Sequence, residues 1–100
     1  MNQIVLLSPQ NFNAAFNIEK RSHVFPCKKK TFFSNQGPKY LNFCFMSNEV
    51  MIAFSITQLI INEASLFNLA VDPKFQRKGF GRELINYLVN VLRNRGFHTL

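Results

Sequence analysis

The sequence predicts an α/β domain: a mixed sheet with helices packed on its faces. Two observations carry this. Apolar residues alternate with period two through the middle of the chain and recur at helical spacing near both ends. The order strand, helix, helix, three strands, helix, strand is that of an antiparallel meander leading into a strand–helix–strand crossover. The 100 residues allow one small domain, 1–100, and no repeat or domain-separating linker interrupts it.

Gln3 to Leu7 reads as a short strand. Ser8-Pro9 starts a helix, with a hydroxyl cap and then proline at the first helical position. Phe12, Ala15 and Phe16 recur at helical spacing, and the helix runs to about Arg21 or Ser22. His23 to Pro38 is a linking region with one short helix before the Gly37-Pro38 break. From Lys39 to Met46, Leu41, Phe43 and Phe45 alternate with Tyr40, Asn42 and Cys44, the pattern of a strand with one buried face. Ser47-Asn48-Glu49 turns the chain, and Val50 to Ile61 pairs back as a hairpin. Asn62-Glu63 turns it again. Ala64 to Val71 is the next strand, with Phe67, Leu69 and Val71 on one face, and Asp72-Pro73 ends it. Beyond a loop with two glycines, Leu84, Ile85, Leu88, Val89 and Leu92 form the apolar stripe of a helix that leaves Glu83, Asn86, Asn90 and Arg93 outside. Gly96 stops that helix, and Phe97 to Leu100 begins another strand.

The net charge of +7 is high for the length and favours phosphate-bearing partners, whether cofactor, RNA or membrane surface. No apolar run is long enough to span a bilayer. The first residues lack the basic start, apolar core and small-residue cleavage site of a signal peptide. Cys27 and Cys44 have no metal-ligand spacing and read as reduced thiols of a cytoplasmic protein without a metal site.

The stretch VDPKFQRKGFGREL, Val71 to Leu84, carries the densest chemistry. A helix beginning near Gly79–Gly81 presents unpaired N–H groups and the positive end of its dipole. The glycines let the backbone approach a ligand closely. Arg77, Lys78 and Arg82 add full charges, so the loop suits a pyrophosphate. It is not a P-loop, because Arg82-Glu83 follows Gly81 where Lys-Ser or Lys-Thr belongs. Nor is it a dinucleotide fingerprint, because Leu84 stands where a third small residue belongs. A plain strand-to-helix connection is the alternative.

QRKGFG, Gln76 to Gly81, resembles the Gln/Arg-x-x-Gly-x-Gly/Ala signature of the GNAT acetyltransferases. The resemblance extends without gaps over nearly the whole chain, through RSHVFP (Arg21–Pro26), SNQG (Ser34–Gly37), KYLNF (Lys39–Phe43), AFSITQ (Ala53–Gln58) and EASLFNLAVDP (Glu63–Pro73). Over that length it is similar to the bacterial members that acetylate the N-terminal alanine of a small-subunit ribosomal protein. It implies an acyl-CoA N-acyltransferase (GNAT) fold lacking its C-terminal third, and acetyl-CoA as cosubstrate. Leu69, Ala70 and Val71 would pair with the pantetheine arm, and Arg77, Lys78, Gly79, Phe80, Gly81 and Arg82 would wrap the pyrophosphate. It also implies direct attack by the acceptor amine, with a Glu base, a Tyr acid and a cofactor-contacting Asn that all fall beyond Leu100. A truncated, inactive acetyl-CoA-binding remnant is the alternative. The loop around Phe25-Pro26 would line the acceptor end. Cys27 stands there where members usually carry Trp, and Lys28 to Lys30 make the segment more basic.

Other residues read more plainly. Glu63 belongs to a turn, His23 and His98 are isolated surface or packing histidines, and Asp72 ends its strand. Asn68 points away from the apolar face, toward a cofactor or peptide. Lys28–Lys30 form a solvated face or a direct contact with RNA. Lys39 to Phe45 is similar to the aromatic strand of an RRM, although it lacks that motif's glycines.

Overall fold

A computed structural model describes residues 2–97. Four strands and three helices follow in the order β1 (Asn2–Leu6), α1 (Phe12–Ser22), α2 (Lys29–Ser34), β2 (Tyr40–Ser47), β3 (Val50–Ile60), β4 (Glu63–Val71) and α3 (Phe80–Asn94). The strands form one sheet in the order β1-β2-β3-β4, and every described pair is antiparallel. The parallel partner expected of a mixed sheet falls on the predicted strand Phe97–Leu100, of which residues 98–100 lie outside the described residues.

The helices cover both faces of the sheet. On one face, Phe12, Ala15 and Ile18 of α1 and Phe32 of α2 pack with Cys44, Phe54, Ile56 and Ala70. The centre of this layer is aromatic. Phe32 lies 5.1 Å from Phe12 and 5.4 Å from Phe54, the latter edge-on, in the tilted arrangements that ring quadrupoles favour. On the opposite face, Leu84, Leu88 and Leu92 of α3 pack on Leu41, Phe43, Phe45, Ile52 and Ala53. The four-residue spacing of these leucines keeps them on one side of the helix.

β2 therefore differs from its predicted pattern of one buried face. Asn42 and Cys44 are buried as well as Leu41, Phe43 and Phe45. Asn42 satisfies its amide by donating to the Asn35 carbonyl at 2.8 Å and accepting from the Thr57 N–H at 3.2 Å. An internally paired Asn can occupy a buried position in a strand. The rings of Phe43 and Phe45 lie under α3, so they offer no stacking surface for a base.

The turns show where backbone constraint overrides pattern. Asn48 and Glu49 have φ of 51° and 69°, the two left-handed centres of a tight hairpin. The second hairpin closes one residue earlier than predicted: β3 ends at Ile60, β4 begins at Glu63, and Ile61 sits at φ 50°. A two-residue turn between Ile60 and Glu63 leaves Ile61 no extended conformation. In β4 the register shifts opposite Ile56/Thr57, which face Asn68 and Leu66 and leave Phe67 as the extra residue. That bulge breaks the predicted face. Leu69 and Val71 pack on the α3 side, whereas Phe67 stands 6.1 Å from the Tyr40 ring, which belongs to the other layer.

The helix predicted from Ser8-Pro9 begins as a 3₁₀ turn, Pro9–Asn11, before α1 takes over at Phe12. The Ser8 N–H donates to Asn11 Oδ1 at 2.8 Å. At the other end of the chain Gly96, at φ 89°, closes α3. The Phe97 N–H reaches the Leu92 carbonyl and the Gly96 N–H reaches that of Arg93, a Schellman stop. None of the described helices is long and apolar enough to cross a membrane.

Both cores should be equally indispensable. Leu88→Ala should destabilise by about 2–5 kcal/mol and Phe54→Ala by about 3–5 kcal/mol, read from urea midpoints at unchanged slope. A second outcome concerns the Arg21–Asp72 ion pair, which joins α1 to the end of β4. Burial pushes the Asp72 carboxyl up, but hydrogen bonds from Arg21 and the Lys74 N–H, with their charges, outweigh it and hold the group below its usual value. A carboxyl lowered by folding stabilises fully above its unfolded value of about 4, and that contribution is lost as pH falls through the folded value. Asp72→Asn should therefore cost most stability near neutrality and progressively less below about pH 4. An equal deficit across that range, in urea melts, would rule out a charged pair.

Candidate functional site

The site is built on the free side of β4. Among the described residues no strand pairs with that edge, and an unpaired edge is a template for an extended ligand. The phase of the ladder decides which groups point there. The Asp72 N–H donates to the Ile52 carbonyl at 2.8 Å, and Val71 lies opposite Ala53. In antiparallel pairing alternate residues turn their amides toward the partner strand and away from it. Asp72 and Ala70 thus face β3, whereas Val71 and Leu69 face outward. Side chains confirm the direction: Ser22 Oγ and Gln76 Nε2 both donate to the Val71 carbonyl, at 3.1 Å and 3.0 Å.

Of the three β4 residues expected to meet a cofactor, Leu69 and Val71 therefore carry their backbone groups on the open edge. Ala70 turns its own to β3 and buries its methyl in the α1 layer. With both lone pairs of the Val71 carbonyl engaged, the edge offers the Leu69 N–H and C=O and the Val71 N–H.

The chain then makes a 3₁₀ turn, Pro73–Phe75, whose first N–H groups are held by Asp72. Oδ1 accepts from the Lys74 N–H at 3.1 Å, and the Asp72 carbonyl accepts from Phe75 at 2.8 Å. Arg77 and Gly79 both sit in the left-handed region, at φ 65° and 87°. Gly79 is the N-cap of α3 and supplies no side-chain cap. Its carbonyl accepts from the Glu83 N–H at 3.0 Å, so the N–H groups of Phe80, Gly81 and Arg82 have no acceptor within the helix. Arg77, Lys78 and Arg82 are exposed around them. Left-handed residues, a helix start and three cations together are features that favour an anion.

Two side chains fix this loop against the strand. The Phe80 ring packs 5.2 Å from Phe45 and 6.4 Å from Phe75. Gly81 lies against β4: a Cβ there would be 3.4 Å from Val71 Cγ2 and 3.9 Å from Leu69 Cδ2. The start of α3 thus lies beside the strand, so edge and helix start adjoin.

Three residues of α1 complete the site, and sequence reading did not place them there. Ser22 holds the Val71 carbonyl and Arg21 holds Asp72. Glu19, only 2% exposed, accepts from Asn68 Nδ2 at 2.7 Å and from the Cys27 N–H at 2.9 Å, with His23 Nε2 at 3.2 Å. His23 is thus not isolated, and Asn68 turns to Glu19. Only the helical spacing of Glu19 and His23 hinted at this grouping. Burial pushes Cys44 up to about 11, and burial reinforced by the Glu19 charge pushes Cys27 upward, so both stay thiols near neutrality. Among the described residues no three His, Cys, Asp or Glu side chains are grouped to hold a metal.

An extended strand edge here leads into a helix start whose first N–H groups have no acceptor within the helix. Residues 9–100 match the Acetyltransferase (GNAT) family. The chain is 51% identical over all 100 of its residues to the [Ribosomal protein bS18]-alanine N-acetyltransferase of Salmonella typhimurium, and spans 68% of that protein. The crystal structure of the ribosomal-protein-S18-alanine N-acetyltransferase from Escherichia coli superposes with a TM-score of 0.95 at 50% identity, over 97% of this chain and 63% of that one. A GNAT family acetyltransferase from Brucella melitensis, solved in complex with acetyl-CoA, shares the fold at TM-score 0.81 and 14% identity, over 97% of this chain and 71% of its own. By sequence and by fold, the chain belongs to the GNAT acetyltransferase family.

Proposed function

We propose that this chain binds acetyl-CoA along β4 and the α3 start, and that it serves transfer of the acetyl group to the N-terminal alanine of a ribosomal protein. One observation carries the cofactor half: the outward backbone groups of Leu69 and Val71 run directly into the unpaired N–H groups of Phe80, Gly81 and Arg82. An extended amide-containing arm ending in a pyrophosphate matches that sequence of partners, amide to strand edge and phosphate to helix start. The bound cosubstrate supplies an acetyl thioester. The chain's own residues orient it: the strand edge fixes the arm, the left-handed Arg77 and Gly79 shape the anion site, and Arg77, Lys78 and Arg82 neutralise its charge. The acceptor half is supported by the 51% identity to proteins named for alanine N-acetylation. Direct transfer without an acyl-enzyme accords with the raised thiols of Cys27 and Cys44.

Acetyl-CoA should raise the melting temperature of the chain. At a concentration of about 100 Kd a native-state ligand stabilises by about 2.7 kcal/mol, which corresponds to a shift of roughly 10 °C or more for a domain of this size. Gly79→Asp should abolish that shift by placing a carboxylate beside the pyrophosphate, whereas Gly79→Asn, similar in shape and tolerant of the left-handed backbone, should retain part of it. An equal shift in all three proteins would remove the loop from the cofactor site.

A further inference from the structure

Charge is unevenly distributed along the chain. Glu19 is the only acidic residue before Glu49, and it is 2% exposed. The same stretch holds Lys20, Arg21, Lys28, Lys29, Lys30 and Lys39. Arg21 is taken by Asp72. The lysines are exposed, and among the described residues none of them makes an ion pair. Two are seated on rings. Lys20 Nζ lies 5.4 Å from the centre of Phe16, and Lys29 Nζ lies 5.7 Å from that of Phe33, both within cation–π range. The two rings are themselves 5.8 Å apart, so α1 and α2 present their ammonium groups from one aromatic platform. Cations gathered in this way repel one another, and a polyanion laid across them relieves that repulsion. Between Arg21 and Lys28 stands Phe25, 91% exposed. A free ring within a run of cations is the combination that binds a single-stranded nucleic acid, with phosphates on the charges and a base on the ring. A lipid surface fits less well. Phe12, Ala15 and Ile18 of α1 and Phe32 of α2 are buried in the core layer, so the apolar sides of these helices are turned away from any bilayer interface.

We propose that the α1–α2 face, through Lys20, Lys28, Lys29, Lys30 and the ring of Phe25, is a docking surface for single-stranded RNA. It lies on the sheet face opposite α3, so it is distinct from the cations at the α3 start. The choice of RNA over DNA rests on the proposed function: a ribosomal protein is met among RNA, and a surface that holds RNA raises the local concentration of such an acceptor. The contacts are to phosphate and to a base face, so binding depends on salt and carries little sequence preference.

The test follows the fluorescence anisotropy of a labelled oligouridine dodecamer over a series of salt concentrations, with acetyl-CoA saturating so that the α3 start is occupied. Lys29→Gln/Lys30→Gln should weaken binding at least tenfold. It should also flatten the slope of log K against log salt by about 1.4, for two phosphate contacts at about 0.7 each on a single strand. Phe25→Ala should weaken binding at least fivefold and leave that slope unchanged, because a stacked ring releases no counterion. Arg93→Gln/Arg95→Gln removes the same charge from the end of α3 and should change affinity less than twofold. Lys28→Gln/Lys30→Gln leaves the lysines on both rings in place, and it carries the test if Lys29→Gln/Lys30→Gln does not melt cooperatively. Equal losses in the lysine and arginine variants would overturn the inference, because net charge alone would then account for binding. Absence of binding by the unaltered chain would overturn it as well. So would tighter binding to phosphatidylserine–phosphatidylcholine vesicles that is lost in the same lysine and Phe25 variants, which would make the face a lipid surface. Failure to bind acetyl-CoA, seen by calorimetry beforehand, would overturn the cofactor reading instead, and the same RNA titrations would still decide this one.

Discussion

Among the described residues β4 has a strand on one edge only, so its register is held by that strand and by the helices packed against it. β4 meets this constraint in three ways. β3 takes one edge of its backbone, α3 packs on one face through Leu69 and Val71, and α1 reaches its other face and its end through Glu19, Arg21 and Ser22. The α1 contacts are polar, and only that of Ser22, to the Val71 carbonyl, takes a backbone group of the open edge. Val71 shows the economy of this arrangement: its carbonyl is occupied by Ser22 and Gln76 while its N–H still faces out.

The two apolar layers make those contacts possible. The phenylalanine cluster of α1 and α2 packs α1 onto the sheet, and Glu19 there meets Asn68 at 2.7 Å. On the other face the leucines of α3 pack on the sheet, and its first turn lies beside β4 at Gly81. Close-packed interiors transmit such placement because their side chains have little room to adjust. The bulge at Phe67 adds local twist in β4 beside the candidate site, a common location for such irregularities.

Charge follows the same division. Of five acidic residues, Glu19 and Asp72 are buried and paired, so they hold structure together and contribute little to the surface. Arg77, Lys78 and Arg82 stay exposed around the helix start, with Glu83 as the acidic residue of that first turn. The excess of positive charge is thus local as well as global, and it lies where unpaired N–H groups already favour an anion.

The sequence by itself determined the elements and the loop. Alternation at Lys39–Met46, the leucine spacing from Leu84 to Leu92, and Gly96 as a stop each depend on interactions within a few residues, so they are legible without the fold. The same holds for the glycines and cations of Gln76–Arg82, whose positions along one turn follow from chain geometry. Tertiary structure alone decided the rest. The second buried face of β2 needs α1 and α2 to be in place, and the bulge at Phe67 is set by pairing with β3. The division of Leu69, Ala70 and Val71 between open edge and sheet follows from ladder phase, which no single strand specifies. Glu19 and Asn68 are 49 positions apart. Their meeting depends on the distance between a helix and a strand, which is fixed only when both layers have packed.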